Sequence, residues 1–128
     1  IDEFPALFVA AACATGSTRV SGAAELRVKE SDRLATMSSA LRALGIRVDE
    51  FDDGATIHGG RFVVDPAKPV AIDSHGDHRI AMASAIAGQR CEGEFTIGDI
   101  ANVATSFPGF DTLAQRVGFA LRDAAASA

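Results

Sequence analysis

Charged side chains cluster at two predicted helix starts, and the first cluster is the run Lys29-Glu30-Ser31-Asp32-Arg33. Lys29 and Arg33 are four residues apart, so they can share one face of the helix. Cations at a helix N-terminus oppose the helix dipole. Their presence indicates an anion nearby, held by helix N–H groups and by the two side chains. The alternative is a solvated helix start in which Glu30 and Asp32 neutralise the two bases.

The second cluster is Asp73-Ser74-His75-Gly76-Asp77-His78-Arg79, where a predicted strand passes into a predicted helix. The polar groups stand at one end of an otherwise apolar helix, which is typical of a site at the mouth of a layered fold. A hydrogen-bonded helix cap is the alternative. Two histidines near carboxylates also suggest a metal, but no third or fourth ligand follows at a suitable spacing. We therefore expect no metal here.

Asp2 lies at a third predicted helix start, and an internal repeat places it in register with Asp77. A carboxylate at a buried helix end is a cap or a general base, and taken alone the cap is the better interpretation. Similar positions recur about 75 residues apart, which is the signature of a repeated supersecondary unit. Equivalent helix starts can converge in a symmetric assembly, which favours a shared site. The matched pairs are Asp2 with Asp77, Val20 with Ile97, and Ser31 with Ser106.

The first unit has the patterns of two helices and several strands. The apolar run from Phe4 to Ala14 predicts a buried helix that Gly16 ends. A second, amphipathic helix has its apolar stripe at a 3.6-residue period, begins at a cap on Ser31 or Asp32, and ends at Gly45. The stripe is Leu34, Met37, Leu41 and Leu44; the predicted strands are 17–20, 47–51, 55–58 and 70–73, with Asp53-Gly54 as a hairpin signal.

The second unit repeats this order. Asp77 begins an apolar helix that Gly88 ends, and the run 93–98 predicts a strand. A connecting loop then leads to Ser106 and to a last amphipathic helix. The apolar residues of the two helices are Ile80, Met82 and Ile86 in the first and Phe110, Leu113 and Val117 in the second.

The composition is that of a globular domain, with 128 residues, 48% hydrophobic and 23% charged. The net charge of −5 argues against a general nucleic-acid surface. No apolar run approaches the roughly 20 residues that a membrane span needs. Cys13 and Cys91 fit neither a metal spacing nor a redox motif, so we expect both to be reduced and partly buried in the core, as in a cytosolic protein.

The sequence begins Ile1-Asp2-Glu3-Phe4-Pro5, without methionine, and enters a predicted helix almost at once. We interpret it as a segment of a longer protein with a mixed α/β fold. Residues 1–122 would form about one and two-thirds helix-and-sheet units, 1–75 and 76–122, and the small polar tail 123–128 would fray.

Four stretches resemble the 5-enolpyruvylshikimate-3-phosphate synthase family. The run from Glu25 to Leu34 is similar to the long signature of that family, and the run from Asp77 to Ala83 to its second C-terminal signature. Residues 1–5 and 104–108 match two further stretches in the same order. The resemblance covers nearly the whole chain, and the first signature is highly specific.

The resemblance implies an inside-out α/β barrel fold, with two domains of three similar units each and the substrates between them. This chain would be part of the C-terminal domain, with the N-terminal domain as its partner. The implied reaction transfers the enolpyruvyl group of phosphoenolpyruvate to the 5-hydroxyl of shikimate 3-phosphate and releases phosphate. It implies a cytoplasmic enzyme with no cofactor, nucleic acid or membrane, and an isolated segment without activity.

The resemblance also assigns roles to individual residues. Asp2 matches the aspartate that takes the hydroxyl proton and binds shikimate 3-phosphate. Glu30 matches the glutamate that serves the methylene carbon as acid and base. Lys29 would contact the shikimate moiety, whereas phosphoenolpyruvate would be held by Arg33 and Arg79 with His78 beside them.

Thr105 departs from the better-known members of the family, which carry a phosphoenolpyruvate-binding lysine at this position. The surrounding pattern resembles a divergent bacterial branch instead. Two other interpretations stay open at this point. One is the related enolpyruvyl transferase that acts on UDP-N-acetylglucosamine, and the other is a folded module without catalytic activity.

Overall fold

The computed structural model describes residues 3–121, so the predictions for Asp2 and for the tail 123–128 lie outside the described residues. The chain contains both helices and strands, which confirms the mixed α/β prediction. The division into units 1–75 and 76–122 stays a prediction. The elements are α1 Phe4–Cys13, β1 Ser17–Val20, a 3₁₀ helix Ala24–Val28, α2 Arg33–Ala43, β2 Arg47–Phe51, β3 Gly54–His58, β4 Phe62–Val63, β5 Ala71–Asp73, α3 His78–Gly88, β6 Cys91–Glu92, β7 Thr96–Gly98, α4 Ala101–Ser106 and α5 Phe110–Arg116.

The first unit contains an antiparallel sheet in the order β1-β3-β2. The predicted hairpin is confirmed, with Asp52 and Asp53 in the turn and Phe51 paired with Gly54. Glycine is required at position 54, because a Cβ there would collide with the carbonyl oxygen of Val20 on β1. The turn and the close approach of β1 therefore use the same residue.

Two parallel pairs, β4 with β6 and β5 with β7, each join a strand of the first predicted unit to a strand of the second. Because β5 and β7 run in the same direction, their carboxyl ends share one edge, and the chain passes from β5 into the start of α3. The sequence prediction missed β4, β6 and α4, and was wrong in placing a loop over residues 101–105. The six residues of α4 include none that is buried, so no apolar stripe marks that helix.

The core lies between helices α1, α2 and α3 and the three-stranded sheet. The predicted stripe of α2 is confirmed, because all four of its apolar side chains are buried. Burial of such side chains stabilises the fold by roughly 1.5–3 kcal/mol each. The stripe residues pack with Phe8 of α1, Ile57 of β3 and Ile80 of α3.

Some predicted core residues are exposed. Cys13 is exposed in the last turn of α1, where the helix buries Phe8 and Ala12 instead, so the core prediction was wrong for this cysteine. Cys91 is partly buried and packs against the core, and burial raises the pKa of its thiol. Three apolar side chains of the predicted helices are also exposed: Ile86 on α3, Leu113 on α5 and Val117 directly after α5.

Arg27 joins the 3₁₀ helix to the end of β2 and to the start of α2. Its Nη1 donates to Asp32 at 3.0 Å and to Glu50 at 2.9 Å. Its Nε and Nη2 donate to the carbonyl oxygens of Asp52 and Phe51, each at 2.8 Å. The hydrogen bond to Glu50 is the largest cause of a raised pKa for Arg27. This side chain therefore fixes the segment that leads into Lys29 and Glu30.

We expect Arg27→Ala to lower the free energy of unfolding by about 2 kcal/mol, because it removes several hydrogen bonds that involve charged groups. Urea unfolding followed by circular dichroism measures this loss. The matched control is Arg47→Ala, whose side chain is 74% exposed and should change stability by no more than about 0.5 kcal/mol. Equal losses in the two variants would contradict the structural role given to Arg27.

Candidate active site

The two charged clusters of the sequence meet through a buried ion pair between Arg33 and Asp77. The Nε of Arg33 donates to Oδ2 of Asp77 at 2.8 Å, and Nη2 lies 3.3 Å from Oδ1. The side chain of Arg33 is 1% exposed and that of Asp77 is 0% exposed. Two guanidinium nitrogens thus face one carboxylate, an arrangement that fixes orientation as well as charge. The predicted convergence of helix starts is confirmed for these two clusters.

Ser31 and Asp32 divide the two tasks that the sequence left open between them. Asp32 is the N-cap of α2, because its Oδ1 accepts a hydrogen bond from the backbone N–H of Ala35 at 3.1 Å. The hydroxyl of Ser31 instead donates to Oδ2 of Asp77 at 2.8 Å. Ser31 is therefore part of the contact between the two clusters.

Asp77 is also the N-cap of α3, where its Oδ1 accepts from the backbone N–H of Arg79 at 3.0 Å. Ser74 fixes the preceding turn, because its hydroxyl lies 2.9 Å and 2.7 Å from the carbonyl oxygens of Gly98 and Asp99. These carbonyls belong to the last residue of β7 and to the residue after it, so the parallel β5–β7 pair supports the turn. One carboxylate thus connects the start of α2 with the start of α3.

The pKa of Asp77 is lowered in the folded protein. Burial, the largest single cause, would raise it, but the hydrogen bonds and charge of Arg33 outweigh burial when they act together with the other hydrogen-bond donors. The hydroxyl of Ser31 and the backbone N–H of Arg79 lower the pKa further. Asp77 is consequently ionised at neutral pH, and the pair with Arg33 is a charged one.

Glu30 and Lys29 lie at the edge of this pair. A carboxylate oxygen of Glu30 accepts from Nη2 of Arg33, while the Glu30 side chain remains 53% exposed. The Nζ of Lys29 lies 3.4 Å from a carboxylate oxygen of Glu25, and the Lys29 side chain is 25% exposed. A ligand can therefore reach the carboxylate of Glu30, which Arg33 holds from the buried side.

His78 and Arg79 are the first two residues of α3, and both are partly buried. Through Asp77 they lie at the same helix junction as Arg33 and Glu30. Thr105, the departure from the expected lysine, lies on α4 and is exposed. Of the predicted site residues, only Asp2 lies outside the described part of the chain. The sequence did not predict the contacts of Ser31 and Arg33 with Asp77, since spacing alone does not relate the two clusters.

Residues 3–121 contain neither a candidate metal-binding cluster nor a candidate membrane-spanning helix. Within that range, no three His, Cys, Asp or Glu side chains are grouped so that they could hold a metal ion. None of the helices in the same range has the length and apolar character to cross a membrane.

The lowered pKa of Asp77 predicts a pH dependence of stability. A carboxyl group whose pKa is depressed by folding stabilises the protein above its unfolded pKa of about 3.9. That contribution is lost as pH falls through the folded pKa. We therefore expect Asp77→Asn to flatten the decline of unfolding free energy below about pH 4. Urea unfolding at several acidic pH values measures both slopes, and parallel slopes would contradict this role.

Helix starts and arginine side chains both suit the binding of anions, so the site is that of an α/β protein with the groups to hold an anionic ligand. Residues 1–113 match the family model described as EPSP synthase (3-phosphoshikimate 1-carboxyvinyltransferase). The chain therefore belongs to the EPSP synthase family, as the sequence signatures predicted.

Known relatives agree with this assignment. The 3-phosphoshikimate 1-carboxyvinyltransferase of Xanthomonas axonopodis pv. citri is 68% identical over 97% of the chain, and that of Xanthomonas campestris pv. campestris (strain 8004) is 69% identical over 94%. A solved EPSP synthase structure from Acinetobacter baumannii superposes with a TM-score of 0.81 at 50% identity over 91% of the chain. The chain spans 27%, 26% and 27% of the lengths of these three proteins.

Proposed function

We propose that this chain supplies one side of an active site that transfers the enolpyruvyl group of phosphoenolpyruvate to the 5-hydroxyl of shikimate 3-phosphate. The observation that carries the proposal is the buried pair of Arg33 and Asp77. It joins the two charged clusters in a chain that belongs to the EPSP synthase family. The whole enzyme would serve the shikimate pathway to aromatic amino acids.

The charges at this junction suit the substrates. Both substrates are polyanions, so cations must hold and orient them before reaction. In the proposal, Arg33 and Arg79, with His78 beside them, hold phosphoenolpyruvate, and Lys29 contacts the shikimate moiety. The N–H groups at a helix start add further positive potential. Arg33 suits this task because its planar guanidinium matches a carboxylate or phosphate group.

The chemistry needs a base and an acid at separate atoms. Asp2 would take the proton of the 5-hydroxyl as its oxygen attacks the enol carbon, while Glu30 gives a proton to the methylene carbon. The resulting tetrahedral intermediate then loses phosphate by cleavage of the bond between the former enol carbon and the phosphate oxygen, and the proton held by Asp2 passes to the departing phosphate. Glu30 would take a proton back from the new methyl group, which restores the double bond and the acid form of Glu30. Exposure of the Glu30 carboxylate is consistent with this access to substrate.

The remaining phosphate-binding cations would come from an N-terminal domain, and the enzyme would act in the cytoplasm. The net charge of −5 is consistent with anion binding that is local and does not extend to nucleic acid. On this proposal the chain alone is a folded module without turnover, because the second wall of the site is supplied by that other domain.

A chimera tests the proposal: this chain replaces the matching segment of the Xanthomonas axonopodis relative, to which it is 68% identical. We expect the chimera to release phosphate from phosphoenolpyruvate plus shikimate 3-phosphate at a rate within about tenfold of that of the intact relative. A tenfold difference in rate corresponds to about 1.4 kcal/mol in the activation barrier. The chain alone should give no turnover. A folded chimera without turnover would overturn the proposal. An active isolated chain would show that the site does not need a second domain.

A further inference from the structure

We propose that Asp77 is a positioning residue that sets the affinity for phosphoenolpyruvate by fixing the guanidinium of Arg33. The inference rests on the proposed function, because it concerns how the same site holds its anionic substrate. Asp77 would touch neither substrate. It would act through Arg33 and through the start of α3.

The first argument is the orientation of the guanidinium. Nε and Nη2 of Arg33 both lie within hydrogen-bond distance of the Asp77 carboxylate, so rotation about the end of the side chain is restricted. Nη2 also meets the carboxylate of Glu30, which places the proposed acid next to the proposed anion-binding cation. A guanidinium that was free to rotate would lose both its fixed orientation and its contact with Glu30.

The second argument is that the carboxylate itself is held. The hydroxyl of Ser31 donates to Oδ2, and the backbone N–H of Arg79 donates to Oδ1. Asp77 is fully buried, so it has exchanged hydration for these partners and for Arg33. Because Oδ1 caps α3, the same group also sets the position of the helix start that carries Arg79.

The third argument concerns charge, and it makes the proposal testable. If Asp77 acted only through its charge, it would weaken anion binding, because a carboxylate next to Arg33 offsets the positive potential. Removal of that charge would then lower the KM for phosphoenolpyruvate. If Asp77 acts by positioning, its removal must raise that KM, because Arg33 would no longer be held in the orientation that meets phosphoenolpyruvate. The two roles predict opposite signs.

The experiment uses steady-state kinetics of the chimera and its Asp77→Asn variant, in which shape is retained and charge is lost. We expect the KM for phosphoenolpyruvate to rise by at least tenfold, and the KM for shikimate 3-phosphate to change by less than about threefold. Ser31→Ala removes a single hydrogen bond to Asp77 and should raise the KM for phosphoenolpyruvate by a smaller factor, about two- to fivefold, equivalent to roughly 0.5–1 kcal/mol. The matched control is Asp111→Asn, an exposed aspartate on α5.

The outcomes separate this inference from the proposed function. An unsubstituted chimera without turnover overturns the proposed function and this inference with it. An active chimera in which Asp77→Asn leaves the KM for phosphoenolpyruvate unchanged, or lowers it, overturns the positioning role alone. Should Asp77→Asn fail to fold, Ser31→Ala decides the question. An unchanged KM for phosphoenolpyruvate in that variant then rejects the proposal, and a selective rise supports it.

Discussion

Glu30→Gln in the chimera should lower kcat by about 100-fold or more while the KM for phosphoenolpyruvate changes by less than about threefold. General acid–base groups typically contribute 10²–10⁴-fold to rate. Glutamine keeps the size of the side chain and a hydrogen bond to Arg33, but it cannot give a proton to the methylene carbon. The loss should therefore fall on the chemical step and leave substrate binding nearly intact. Initial rates at varied concentrations of each substrate measure both constants.

The matched control for this variant is Glu92→Gln, since Glu92 is also largely exposed and also paired with an arginine, Arg61. It lies in β6, outside the charged junction, and should leave both constants unchanged. If Glu30→Gln retained the kcat of the chimera, the acid–base role of Glu30 would be wrong. A rise in KM at unchanged kcat would instead make Glu30 a binding residue.

Arg33→Met should lower the free energy of unfolding of the chain by about 3–5 kcal/mol. Removal of one partner of a buried ion pair leaves the other charge without compensation in a low-dielectric interior. In Arg33→Met the charge left unpaired is the fully buried carboxylate of Asp77. Urea unfolding at neutral pH measures the loss, with Arg90→Met as the matched exposed control. A loss below 1 kcal/mol would contradict the burial of the pair.

The double variant Arg33→Met/Asp77→Leu tests whether the stability loss in Arg33→Met comes from the unpaired charge of Asp77. Replacement of both partners by apolar side chains removes the unpaired charge, and such exchanges are often neutral for stability. We expect the double variant to recover most of the stability that Arg33→Met loses, but to have no activity in the chimera. A double variant less stable than Arg33→Met would show that the ion pair stabilises the fold directly.

Several local elements follow from the sequence alone. The stripe of Leu34, Met37, Leu41 and Leu44 predicts α2 because a 3.6-residue period leaves few alternatives. The hairpin at Asp53-Gly54 follows from turn chemistry, and glycine there meets a close approach of β1 as well. The structure confirms both elements. They were predictable because each depends on residues that are close together along the chain.

The two charged clusters were predictable as clusters, and the long signature from Glu25 to Leu34 predicted the family. Their chemical types and positions at helix starts are written in the sequence. The roles of individual site residues remain proposals, to be decided by the kinetics described above. The sequence also failed for α4, a six-residue helix with no buried face and therefore no periodic signal.

Only the tertiary structure decided how the clusters meet. Ser31 and Asp32 are equivalent cap candidates in the sequence, but the fold gives the cap to Asp32 and directs Ser31 to Asp77. The contact between Arg33 and Asp77 joins residues 44 positions apart. No local pattern specifies such a pair, because it depends on how α2 and α3 pack on α1 and on where the parallel β5–β7 pair ends. The sequence by itself determined which charged groups are present, and the packing of the helices determined which of them share one buried site.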